Sequence, residues 1–160
     1  MSITPGDRIP NETLTVMASN GPQPVDSAEL LGKGLVVLFA VPGAFTPTCS
    51  AQHLPGFVDN AAALQDKGVE RIVCMAVNDV FVMDAWGKAG KVGDQIVMAA
   101  DGNGAFTRAL GLEMDASAFG MGQRSQRFAM IVRDGLVEKV MVEAPGEFRV
   151  SSAEYVLDQL

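Results

Sequence analysis

Cys49 closes a run, Pro42-Gly43-Ala44-Phe45-Thr46-Pro47-Thr48-Cys49, that leads from an apolar strand into a helix. Thr46-Pro47 is a helix-start signal, with a hydroxyl at the N-cap and proline in the first turn. Cys49 then falls where free backbone N–H groups and the positive end of the helix dipole favour an anion. A thiol in that place is biased toward thiolate, the nucleophilic form. Its electrophile would be an acyl carbon, a disulfide sulfur or a peroxide oxygen.

Neighbouring residues weigh these three against one another. Acyl transfer wants a separate imidazole base. The only histidine, His53, lies four residues along the same helix, too close to straddle a substrate easily. Disulfide exchange of the thioredoxin kind wants C-x-x-C, and Thr46 occupies the place of the first cysteine. Peroxide reduction needs one thiolate, donors that polarise the O–O bond, and a cation for the developing negative charge. The Thr46 hydroxyl and the amides of the turn supply donors. The cation must come from elsewhere, and Arg124 and Arg127 at the start of a late strand are the candidates. His53 and two scattered cysteines do not make a zinc site; His53 reads as a helix residue beside Pro55, or as part of the pocket wall. No Gly-rich stretch has the strand-to-helix setting of a dinucleotide site.

The elements that must position these residues alternate between strand and helix. Leu14 to Met17 forms a short strand, and Asp26 with Glu29 makes a capping-box pattern before Leu30 and Leu31. Residues 35–41 (LVVLFAV) carry no polar side chain, as expected of a strand buried on both faces. A helix follows from about Pro47 to Lys67, which Pro55-Gly56 should kink or interrupt. Val69 to Val77 is a second buried strand, and Asn78-Asp79 can cap a helix carrying Phe81, Val82, Ala85 and Trp86. Ile96 to Ala100 is a third strand, followed by an Asp-Gly-Asn-Gly turn and a helix ending near Gly111. Arg127 to Val132 and Val137 to Val142 flank Asp134-Gly135, a hairpin signal. Ser151 and Glu154 form a last capping box. This order predicts an α/β fold, a mixed central sheet flanked by helices, of thioredoxin-like architecture. GAFT occurs at 43–46 and at 104–107, but the surroundings do not match and no internal repeat follows.

Composition bounds the rest. The 160 residues, 48% hydrophobic and 19% charged, suit a single domain with a real core. A formal charge of −7 argues against nucleic acid or an anionic membrane surface as a partner. No apolar run approaches the roughly 18 residues of a membrane helix. The N-terminal residues lack a secretory pattern, and two cysteines suit a reducing compartment, so a cytoplasmic location is expected. Trp86 and the nine methionines read as core and interface material.

The pattern Pro42-x-x-x-Thr46-x-x-Cys49 resembles the signature of the peroxiredoxins. The longer run VPGAFTPTCSAQHLPGF, with VND at 77–79 and Arg127-Phe128, is similar to their type II (peroxiredoxin 5-type) subfamily. The likeness extends from GDRIP at 6–10 to the final SSAEYVL. It implies that Cys49 is the peroxidatic cysteine, attacking a hydroperoxide and becoming a sulfenic acid. It further implies that Thr46 hydrogen-bonds the peroxide, that Pro42 shields the pocket, and that Arg127 stabilises the thiolate. Arg124 then reads as a surface residue.

The same resemblance offers Cys74 as a possible resolving partner, since plant-like members carry a second cysteine at this spacing. Strand geometry opposes it. Cys74 lies three residues short of Val77, roughly 10 Å down its strand, beyond the roughly 7 Å Cα span of a disulfide. Buried free cysteine is also common as a small hydrophobe. The expected activity is cofactor-free reduction of hydrogen peroxide and small organic hydroperoxides, with regeneration by glutaredoxin and glutathione or by thioredoxin. The place of Cys74 within its strand favours the glutathione route. A homodimer is implied, with Pro47, Phe81 and Phe119 as interface candidates. A peroxide-sensing switch using Cys49 without efficient turnover, and an unreactive thioredoxin-like scaffold, are the competing readings.

Overall fold

The computed structural model describes residues 2–160. Its centre is a seven-stranded mixed sheet in the order β2-β1-β5-β4-β3-β8-β9. The middle strand, β4 (Val69–Ala76), runs parallel to β3 (Leu35–Ala40) on one side and to β5 (Val97–Ala100) on the other. The hairpin of β8 (Phe128–Arg133) and β9 (Leu136–Val142) joins β3 antiparallel. Its turn places Asp134 at φ 50° and Gly135 at φ 81°, the pair of positive angles that a two-residue hairpin connection requires.

Because side chains alternate across a strand, the apolar run of β3 feeds two cores. Val37 and Phe39 pack with Cys74, Leu54, Phe57, Leu64, Met83 and Trp86 beneath α2 (Leu54–Asp66), α3 (Val80–Ala89) and α5 (Ala153–Gln159). Val36, Leu38 and Ala40 face the other way, onto Leu30 of α1 (Ser27–Leu30) and onto Phe106 and Leu110 of α4 (Ala105–Leu110). Every residue of β3 is buried, which is why it reads as a continuous apolar run.

Local chemistry departs from expectation in several places. β1 (Thr13–Ala18) pairs with an unforeseen β2 (Gly21–Asp26) that carries Pro22 and Pro24. β2 is an edge strand, and prolines two apart turn their missing N–H toward the unpaired side. Asp26 precedes α1 without a side-chain cap bond. Ser152, not Ser151, caps α5 by accepting from Tyr155 N–H. α3 buries Val80, Met83, Trp86 and Gly87, whereas Phe81 and Ala85 lie exposed. A small hairpin of β6 (Glu113–Asp115) and β7 (Gln123–Ser125) stands apart from the main sheet, too short and polar to announce itself.

The helix after the Pro42–Cys49 run is not broken at Pro55. Pro47 and Thr48 are helical, Cys49–His53 forms a wider turn, and α2 continues from Leu54. In the wide turn Leu54 N–H donates to Cys49 O, five residues back. Pro55 has no N–H to offer the Ala51 carbonyl, so the strain moves upstream and is absorbed as one i→i+5 turn.

Candidate active site

The turn out of β3 is built on a residue in a rare conformation. Phe45 sits at φ 65°, a left-handed angle that costs a side-chain-bearing residue about 1–3 kcal/mol. Two hydrogen bonds hold it: Thr46 N–H donates to Gly43 O at 3.3 Å, and Ala44 N–H donates to Asn78 Oδ1 at 2.9 Å. Gly43 sits in a crowded place: a Cβ there would lie 3.0 Å from Met121 Cε and 3.1 Å from Thr46 Cγ2, so those side chains would have to shift by a few tenths of an ångström. Asn78 thus pins the turn, while Asp79 alone caps α3 through Val82 N–H. From α3, Trp86 Nε1–H reaches across to Ser50 Oγ at 3.0 Å.

Cys49 is fully buried at the end of this turn. Its Sγ lies 2.9 Å from Thr46 Oγ1 and 3.1 Å from Arg127 Nη2. Thr46 was expected as a helix N-cap, but its hydroxyl turns back to Gly43 O at 2.7 Å as well as to the sulfur. A hydroxyl has one proton and can accept as well. With a thiol, S–H donates to Oγ1 while the hydroxyl proton goes to Gly43 O; with a thiolate, that proton must swing to sulfur. Arg127, which precedes β8, presents a charged donor to Sγ, the stronger kind of hydrogen bond and one that favours sulfur as an anion. Arg124 is half-buried rather than a free surface charge: its Nε–H donates to Met121 O at 2.9 Å, and it lies against Gly43. Pro42 is half-buried at the mouth of the turn.

His53 does more than line a helix. It is fully buried, with Arg127 Nη1 at 2.8 Å from Nδ1 and Ser151 O at 2.8 Å from Nε2. Arginine can only donate and a carbonyl can only accept, so the imidazole must be the Nε2–H tautomer: Nδ1 accepts from Arg127 and Nε2–H donates to Ser151 O. Burial first, and the adjacent Arg127 charge second, push its pKa down from 6.5 to about 3. It stays neutral and holds the guanidinium, and with its lone pair so engaged it is no general base for Cys49. Phe148 covers the pair, its ring 5.0 Å from that of His53 and 5.9 Å from Arg127 Cζ.

Cys74 is buried in β4, directly opposite Phe39 of β3, and both cysteines are free thiols. Burial, and secondarily the nearby Cys49, push the Cys74 thiol well up, the setting of an inert core cysteine. Among the described residues, no three His, Cys, Asp or Glu side chains are grouped to hold a metal ion.

Thiol chemistry on a thioredoxin-like scaffold is the class that this fold and this site define. Similarity to known proteins narrows it. The Redoxin family model matches residues 4–157. The chain is 46% identical to Peroxiredoxin-2B of Arabidopsis thaliana over 159 residues, covering 99% of this chain and 98% of the other. It is 39% identical to the hybrid peroxiredoxin hyPrx5 of Haemophilus influenzae, covering all of this chain and 67% of that protein. The crystal structure of reduced Prx3 from Vibrio vulnificus in complex with H2O2 superposes with a TM-score of 0.94 at 50% identity, covering 98% of each chain. The chain belongs to the redoxin family, among its peroxiredoxins, and is a thiol-dependent peroxidase.

Proposed function

We propose that Cys49 is the peroxidatic thiol, acting on hydrogen peroxide and small organic hydroperoxides. The observation that carries this reading is the convergence of Thr46 Oγ1 and Arg127 Nη2 on one buried sulfur. The Cys49 thiolate attacks the distal peroxide oxygen. The S–O bond forms as the O–O bond breaks, and the electron pair leaves on the proximal oxygen, which takes a proton and departs as water or an alcohol. Thr46 donates to the peroxide, Arg127 balances the charge in transit, and Pro42 limits water at the mouth. Full burial of Cys49 suits a small substrate.

The resulting sulfenic acid is reduced by a thiol, which forms a mixed disulfide with loss of water; a second thiol then releases Cys49. We assign glutathione with glutaredoxin to these two steps in preference to a Cys49–Cys74 disulfide, because Cys74 is locked in the central sheet and its thiolate is disfavoured. The location we favour is the cytoplasm, where a reducing pool supplies such thiols. Phe45, Phe81 and Phe119, at 54%, 65% and 80% exposure, support a homodimer through the face around the catalytic turn; sedimentation of Phe81→Asp as a monomer alongside a dimeric parent checks it.

Peroxide consumption coupled to thiol oxidation should vanish in Cys49→Ser, and activity retained there sinks the assignment. Mass spectrometry of peroxide-treated protein without added thiol should find sulfenic or sulfinic Cys49 beside free Cys74. An intramolecular disulfide refutes the one-cysteine cycle. Stalling after one equivalent of peroxide, both with glutaredoxin and glutathione and with thioredoxin supplied, refutes turnover in favour of a one-shot sensor.

A further inference from the structure

Glu143 stands just past the end of β9, where an acidic residue would ordinarily face water, yet it is only 7% exposed. Its two carboxylate oxygens accept from the main-chain N–H groups of Arg149, Val150 and Ser151 and from the Ser151 hydroxyl, at 2.6–2.9 Å. Three successive amides and a hydroxyl thus enclose one anion, a concave arrangement of donors suited to negative charge. Between the carboxylate and its donors the chain runs out through Ala144-Pro145-Gly146-Glu147 and returns with Phe148, the ring that covers His53 and Arg127.

These bonds close a ring through Arg127, the cation beside the Cys49 sulfur. Glu143 N–H donates to Arg127 O at 2.9 Å. The Glu143 carboxylate holds Ser151, the Ser151 carbonyl takes the Nε2–H of His53, and His53 Nδ1 accepts from the Arg127 guanidinium. The circuit starts at the main chain of Arg127 and ends at its side chain. A long flexible side chain is thereby tied at both ends, which selects one placement of Nη2 on the sulfur from many rotamers.

We propose that Glu143 is a positioning residue for the peroxidase reaction: its carboxylate fixes the 144–151 loop, and through Ser151 and His53 it aims the Arg127 guanidinium at Cys49. The inference rests on Cys49 being the attacking thiol. Glutamine at this position would set an NH2 among donors, breaking the arrangement while leaving the size of the side chain unchanged.

The sign of the effect separates positioning from a direct field. Removing a negative charge acts through space to favour the Cys49 anion, so a pure field effect moves its reactivity to lower pH. Loss of Arg127 placement moves it the other way. In a Cys74→Ala background, where only Cys49 reports, Glu143→Gln is expected to raise the pH midpoint of alkylation by about one unit and to lower kcat/KM for hydrogen peroxide about tenfold. Glu143→Asp, which keeps the charge, should recover part of both. A folded Glu143→Gln protein whose midpoint is unmoved or lowered, with the background's peroxide kinetics, overturns the proposal. Should Glu143→Gln fail to fold, Ser151→Ala removes only the 2.6 Å hydroxyl bond and carries the same readouts; unchanged values there overturn the proposal as well. If Cys49 of the background protein does not react with peroxide, the functional reading fails and this inference with it; if it reacts and Glu143→Gln matches it, this inference alone fails.

Discussion

One proton on Thr46 is contested by two acceptors, and this sets what that residue does. Its hydroxyl stands 2.7 Å from Gly43 O and 2.9 Å from Cys49 Sγ, so it can serve the thiolate or the peroxide only by leaving the carbonyl. Thr46→Val keeps the shape and removes the donor. We expect kcat/KM for hydrogen peroxide to fall about a hundredfold, the scale of one lost oxyanion donor, with thermal stability little changed. Thr46→Ser should keep most of the rate, and equal losses in both variants would refute a hydrogen-bonding role. At this scale residue type marked Cys49 and Thr46, and the family resemblance chose Arg127 over Arg124; the three meet in the structure. For His53 the sequence left a plain helix residue and a part of the pocket wall both open, because a lone helical histidine looks the same whether or not an arginine from a distant strand fills its lone pair. Arg124 likewise read as surface, since nothing in the chain announces that Gly43 passes beside it.

Between strand and helix, the turn is held by an element it does not belong to. Asn78, two residues past the end of β4, accepts from Ala44 N–H and so ties the loop after β3 to the loop after β4. Asn78→Ala should cost about 1 kcal/mol in urea unfolding, the scale of one lost hydrogen bond to a part-buried N–H, and should lower kcat more than it raises KM. An effect confined to KM would mean that the turn keeps its shape without Asn78. Strands β3, β4, β8 and β9 were legible because burial on both faces, or a two-residue turn, leaves a pattern. β2 was not, because prolines that forbid a central strand are harmless at an edge. Pro55 was read correctly as a disturbance but misplaced, since the helix absorbs it one turn earlier, around Cys49 itself.

For the molecule as a whole, the buried ring that aims Arg127 carries an acid liability. His53 is held at about 3 against an ordinary 6.5, so below pH 6.5 the unfolded chain takes up a proton that the folded one refuses. Stability should therefore be flat above pH 6.5 and fall toward pH 3 by at most about 1.4 kcal/mol per pH unit, on the order of 4 kcal/mol in all. Glu143 adds to the lower part of this window. Burial raises its pKa, but the Ser151 hydroxyl and the three amides outweigh that, leaving it below the usual 4.5; its contribution is present above that value and is lost in stronger acid. Urea unfolding across this range, with His53→Gln for comparison, checks the assignment: the variant should lose about one proton's worth of slope between pH 6 and 4. An unchanged slope would place the acid sensitivity elsewhere. Neither burial could be read in advance, for whether an acidic residue after a hairpin folds inward depends on a loop that returns to it.

The same ring has a consequence for biosynthesis. Arg127 follows Cys49 by 78 residues, and Ser151 follows His53 by 98. A growing chain therefore exposes its cysteine long before the groups that activate it exist. Until the β8–β9 hairpin pairs with β3 and the 144–151 loop closes on Glu143, the nascent thiol lacks both its cation and its cover, and reacts like any ordinary cysteine. If Cys49 is the peroxidatic thiol proposed above, synthesis order protects unfinished chains from peroxide, and reactivity arrives only with the completed fold.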